Sequence, residues 1–125
     1  MFLGTQWLND LVINCYFNLM MQRAEADKTL PQIFCFKTFF FPKVKSSGHK
    51  GVKRWTKKVD IFAMDRLLFP IHLGVHWTIA AALMKEKKVI YLDSMGGANE
   101  DCRELILEYL RVEHEGTYRH SQETN

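Results

Sequence analysis

Three apolar runs follow one another with almost no chain between them: RLLFPIHL from Arg66, HWTIAAALM from His76 and KVIYLDS from Lys88. A turn at Gly74 joins the first two, and the charged stretch Lys85 to Lys87 joins the second to the third. Parallel neighbours need a crossover of about a dozen residues or more, so connections this short predict an antiparallel meander. Pro70 withholds a ladder donor, which predicts a free edge or a local break along the first strand. In such a meander the start of the second strand lies beside the end of the third. Those two places hold His76 and Asp93.

Helical signals flank the meander. Leu8, Leu11, Val12, Cys15, Tyr16, Leu19 and Met20 keep the three-four spacing of one face, with Asn9 or Asp10 as N-cap. This predicts a first helix ending near Asp27, because a residue before proline, here Leu30 before Pro31, is pushed out of helical backbone. IFCFKTFFF, Ile33 to Phe41, predicts a short strand followed by a buried turn or short helix. MGG closes the third apolar run, and Asn99 or Glu100 opens a last helix carrying Leu105, Ile106, Tyr109 and Leu110 on one face. The polar, aperiodic EHEGTYRHSQETN after Val112 is expected to be a frayed or disordered tail, giving one domain over residues 1–112 and a tail over 113–125.

Between Lys43 and Lys58 stand seven Lys or Arg residues and no Asp or Glu. The plainest reading is a solvated face. A nucleic-acid platform is disfavoured, because the net charge is only +3 and the run holds one tryptophan, Trp55, where base stacking needs rings interleaved with charge. MFLGTQWLND lacks the basic start and apolar core of a signal peptide, and no run reaches the roughly 18 apolar residues of a membrane span, so no membrane partner is expected. Cys15, Cys35 and Cys102 are widely spaced with no CxxC pair, which favours a reduced, intracellular setting. His72 and His76 are four apart, but Gly74 between them argues for a turn and no glutamate follows His72, so neither metal nor other cofactor is expected.

A general base must lie within hydrogen-bond reach of its nucleophile, and a third group fixes the imidazole tautomer by accepting its other N–H. His76 and Asp93 fit the base and the orienter. They fit equally a satisfied core histidine and an aspartate capping the DSMGG turn.

WLNDLVIN, FKTFFFPK, VKRWTKK, PIHLGVHW and YLDSMGG, in this order, resemble the catalytic domain of the sentrin/SUMO-specific cysteine proteases, the Ulp family. The resemblance runs from Trp7 to Leu110. It implies an α+β chain with part of a papain-like cysteine protease fold. It makes His76 the catalytic histidine and Asp93 its orienting aspartate, and matches Trp7 and Trp77 to the two tryptophans that enclose the SUMO Gly-Gly tail. Two indole faces leave a slot passable only by residues without side chains. By spacing alone Trp7 would be a core residue of an amphipathic helix. Asp10 matches a position that meets a basic residue near the SUMO C-terminus, and Lys53 and Arg54 lie in a segment that faces the substrate. The implied partners are SUMO and SUMO-conjugated proteins, the implied state a monomer, and the implied setting the nucleus, with the cytoplasm as alternative.

The family's nucleophile lies in a D-C-G motif at the start of a helix beyond the Asp93 region, after a glutamine that supplies an oxyanion-hole donor. Neither pattern is in this sequence, so the expectation is a chain that stops before its own nucleophile. Cys15 and Cys35 read as core; Cys102 falls in the first turn of the last helix, where the family carries an unused cysteine. Family domains also have sequence before WLND, so uncovered apolar surface and marginal stability are expected. Three functions follow from this reading: a SUMO protease fragment inactive alone, a non-catalytic SUMO-binding module, or a half-site completed by a separately encoded cysteine.

Overall fold

The computed structural model describes residues 10–74, 76–93 and 99–124, with side chains for those between 11 and 116. β2 (Arg66–His72), β3 (Trp77–Leu83) and β4 (Lys88–Leu92) form the antiparallel meander, with Leu67 opposite Ala82 and Ala80 opposite Tyr91. A short β1 (Ile33–Cys35) adds in parallel to the other side of β2, giving the order β1-β2-β3-β4. That parallel pairing ends at Leu68, so Pro70 stands where β2 has the expected free edge.

Alternation along the strands sorts the side chains into two layers. Leu67, Phe69, Ile71, Ala80 and Val89 join Phe40 of α2 (Phe40–Val52) and Ile106 and Tyr109 of α3 (Glu100–Thr124) in the main core. Phe36 stacks on Phe69 there, ring centroids 4.3 Å apart at 14°. Leu68, Trp77 and Ile79 instead meet Ile13, Phe17 and Met21 of α1 (Asp10–Ala26). The sheet is covered on both faces, an α+β arrangement.

α1 ends where the sequence predicts but rolls onto another face. Leu11 is 69% exposed and Leu19 63%, Cys15 is exposed, and Ile13, Phe17 and Ala24 are buried instead. Apolar residues occur on both sides of this helix, so spacing alone has two solutions. A polar pair selects between them: the Thr38 N–H donates to Asn14 Oδ1 at 3.1 Å, and the Asn14 amide donates to Thr38 Oγ1 at 3.2 Å. α2 is longer than the short helix expected, running through the serines of the basic run to Val52 and kinking at Gly48, whose φ of +68° suits glycine.

α3 opens as predicted, with Asn99 Oδ1 accepting the Cys102 N–H at 3.2 Å. It does not stop at Val112. The stretch expected to be a disordered tail is helical to Thr124, because Glu113 pairs with His49 Nε2 at 2.6 Å and accepts from Thr56 Oγ1 at 2.7 Å, which ties the helix to α2 and the turn after it. Apolar periodicity carries no trace of such polar anchors.

Candidate active site

The β2–β3 connection closes tightly: the Leu73 N–H donates to the His76 carbonyl at 2.9 Å, and Gly74 takes a φ of +88° that favours glycine. His76 therefore stands immediately before β3, and Asp93 immediately after β4. The Ile79–Leu92 pairing carries both to the same end of the sheet. There His76 Nε2 lies 3.0 Å from Asp93 Oδ1 and 3.2 Å from Oδ2. The Tyr91 hydroxyl, two residues back on β4, also donates to Asp93 Oδ2, at 3.4 Å. The side chain of His76 is 24% exposed and that of Asp93 9%.

An ionised carboxylate only accepts, so Nε2 carries the proton of the neutral ring and the lone pair is on Nδ1. Nδ1 is buried and has no hydrogen-bond partner among the described residues. A satisfied core histidine would have both nitrogens engaged. This ring can accept a proton at Nδ1, and the resulting imidazolium would be stabilised by Asp93 through Nε2.

Trp77 follows His76 directly but packs on the α1 side of the sheet. His72, its cross-strand partner, stacks on the indole with centroids 4.4 Å apart at 17°. Sequence spacing tests His72 only as a metal ligand; its register opposite Trp77 is the signal that finds it. Tyr91 is likewise found only through the two-residue repeat that aligns it with Asp93. Among the described residues no group of three or more His, Cys, Asp or Glu could hold a metal ion. Trp7 lies outside the described residues, as do Asn9 and the MGG turn. Asp10 opens α1, its side chain undescribed. Lys53 and Arg54 are exposed in the turn after α2, which leans on Phe39 through Trp55 and on Glu113 of α3 through Thr56.

Cys35 and Cys102 lack the setting of a nucleophile, which needs a lowered pKa and access. Cys35 is buried in β1, and burial pushes its thiol up to about 12. Cys102 is buried in the first turn of α3, where desolvation raises the thiol, Lys45 opposes that and Asp101 adds to it. Cys15, expected in the core, is exposed on α1.

A sheet covered on both faces, with an aspartate-held histidine at one edge, fits part of a papain-like α+β fold. Residues 6–122 match the model of the Ulp1 protease family, C-terminal catalytic domain. Over 107 residues the chain is 45% identical to human Sentrin-specific protease 2, covering 86% of this chain and 18% of that protein. Over 110 residues it is 44% identical to a Caenorhabditis elegans Sentrin-specific protease, covering 88% of this chain and 16% of the other. Among solved structures, the Chaetomium thermophilum Ulp1-like SUMO protease catalytic domain matches with a TM-score of 0.75 and 29% identity over 86% of this chain and 47% of its own. The C-terminal Ulp1 protease domain in complex with Smt3, the yeast ortholog of SUMO, matches at 0.72 with 29% identity over 90% of this chain and 51% of its own. The chain belongs to the Ulp1 protease family, and it spans under a fifth of these two curated relatives and about half of these solved domains.

Proposed function

We propose that residues 1–125 supply the base, its orienting carboxylate and part of the substrate slot of a SUMO-directed thiol peptidase, and that the thiol comes from outside them. The observation that carries this is His76, fixed through Nε2 by Asp93 with an unpartnered, buried Nδ1. A thiol placed against Nδ1 gives up its proton there, and the thiolate attacks the carbonyl carbon of the SUMO C-terminal glycine. Collapse of the tetrahedral intermediate breaks the bond to the lysine amine, which leaves with the proton from the imidazolium. Water, deprotonated by the same nitrogen, then releases the thioester. Trp77, with Trp7, forms the slot for the diglycine, with Asp10, Lys53 and Arg54 serving SUMO further out. SUMO and its conjugates are the partners, and the family reading puts the work in the nucleus. With Cys35 and Cys102 buried and Cys15 on the exposed side of α1, the chain alone does not cleave.

The test uses SUMO carrying a fluorophore on its terminal glycine. The purified chain should release none. A chimera in which the chain replaces the matched segment of human Sentrin-specific protease 2 should turn over, and His76→Ala should abolish this. Turnover by the chain alone, or a folded chimera indifferent to His76→Ala, overturns the proposal. The second reading, a SUMO-binding module without catalysis, is favoured by the stacked, positioned indole of Trp77. A dead chimera with SUMO binding that collapses on Trp77→Ala would establish it instead.

A further inference from the structure

The basic run from Lys43 to Lys58 holds one ring, Trp55, so as a sequence it lacks the interleaved aromatics that base stacking needs. The fold supplies a second ring from outside the run. Phe39, one residue before α2, meets Trp55 edge to face, with ring centroids 5.3 Å apart at 69°. Phe40 of the main core backs the indole at 5.9 Å, yet Phe39 stays 55% exposed and Trp55 41%.

Cations surround this pair. Lys37 stands two residues before Phe39, in a turn closed by the Phe40 N–H donating to the Lys37 carbonyl at 3.0 Å. Lys43 follows Phe39 by one helical turn, and its Cε lies 3.4 Å from the place of a Gly51 Cβ. It therefore reaches across the kink to the half of α2 that leads into Lys53, Arg54 and Trp55. Gly51 permits this approach, since a Cβ there would meet that of Ser47 at 2.5 Å. Lys37, Lys43, Lys53 and Arg54 are all exposed, and none makes a salt bridge among the described residues. Burying an unpaired cation is costly, so a face of this kind suits a charged ligand rather than packing against more protein core.

We propose that this face binds single-stranded nucleic acid, with phosphates on the cations and bases against the Phe39 and Trp55 rings. An acidic protein surface would answer the charges but offer the exposed rings no planar partner. A duplex keeps its base faces inside the stack, which leaves the single strand as the form that meets both features. The inference does not rest on the cleavage reading. The face includes Lys53 and Arg54, so where that reading holds, a bound strand should also hinder SUMO.

Fluorescence anisotropy of a labelled oligothymidylate of about a dozen nucleotides, beside a duplex of the same length and a polyglutamate peptide, tests this with the purified chain. Saturable binding is expected for the single strand alone at about 50 mM salt. Phe39→Ala should weaken it at least about fivefold, and so should Phe39→Leu, which keeps the apolar bulk but removes the ring. Lys43→Gln should lower the slope of log affinity against log salt by about 0.7, the value for one phosphate contact on a single strand. The loss from Phe39→Leu should persist at high salt, where that from Lys43→Gln fades. Lys88→Gln, on β4, should leave binding unchanged. No saturable binding, equal binding of the duplex or the polyglutamate, or indifference to both Phe39 substitutions overturns the proposal.

Discussion

Two carboxylate contacts of equal length in this molecule should differ greatly in worth. His49 Nε2 to Glu113 Oε1 and Arg111 Nη2 to Glu108 Oε1 are both 2.6 Å, but the first pair's side chains are 17% and 15% exposed and the second's 57% and 60%. Water screens the exposed pair and lets both long side chains wander, so Glu108→Ala should leave stability unchanged within error. Glu113→Ala strands two donors at once: the His49 ring and Thr56 Oγ1, whose residue is 5% exposed. A hydrogen bond to a charged group is worth about 1.5–3 kcal/mol, and a stranded buried donor costs about 1–3. Because one carboxylate serves both donors the terms do not add, which gives about 2–4 kcal/mol for Glu113→Ala. At roughly 3–5 °C per kcal/mol for a chain of this size, Tm should fall by about 10 °C. Thermal unfolding at pH 7 followed by far-ultraviolet circular dichroism measures this, and hydrogen exchange should show residues beyond Val112 losing protection first. Equal falls in the two variants, or none for Glu113→Ala, would refute the claim that burial of this cluster holds the end of α3.

Tyr109 is 2% exposed and its hydroxyl has no hydrogen-bond partner among the described residues, so Tyr109→Phe should be neutral or stabilise by up to about 1 kcal/mol; a loss larger than that would show a bonded hydroxyl. Iodoacetamide at pH 8 should add one group, at Cys15, with Cys35 and Cys102 reacting only on unfolding; mass spectrometry reads the count, and prompt triple labelling would contradict the burial. Burial raises the Cys35 thiol from 9.0 to about 12. The unfolded chain therefore loses a proton that the folded chain keeps, and stability should decline as pH rises through that window, a slope that Cys35→Ala should lessen, the buried Cys102 and Tyr109 keeping the rest. His72→Ala should uncover one face of Trp77 and, on the proposed function, weaken SUMO binding about two- to fivefold without loss of helix signal; unchanged affinity would show that the stack does not hold Trp77 for binding.

The sequence made the meander legible because connection length restricts pairing so strongly, and with it the meeting of His76 and Asp93. Asn99 as a cap was readable for a similar reason, since a short-range hydrogen bond leaves a short-range pattern. The face of α1 was not readable. Leu11, Tyr16 and Leu19 obey helical spacing as well as Ile13, Phe17 and Ala24 do, and the choice between them depends on Asn14 meeting Thr38, 24 positions away. The length of α3 failed for the same cause, because Glu113 is anchored by His49 and Thr56, 64 and 57 positions away. Apolar periodicity describes what a segment can bury; distant polar partners decide what it does bury.

If the proposed function holds, the edge that carries the site divides two tasks between two layers. Tyr91, which supports Asp93, packs against the main core with α2 and α3, whereas Trp77 packs with Ile13 and Phe17 under α1. Consecutive residues on a strand point to opposite faces, so the step from His76 to Trp77 crosses the sheet. On that reading, proton transfer is tied to the aromatic main core. Selection of the tail is tied to α1, whose contact with the sheet is a smaller cluster pinned by the Asn14–Thr38 pair. A change in how α1 sits can then reshape the slot for the tail while the distance from His76 to Asp93 stays as it is, which separates binding from chemistry within two adjacent residues.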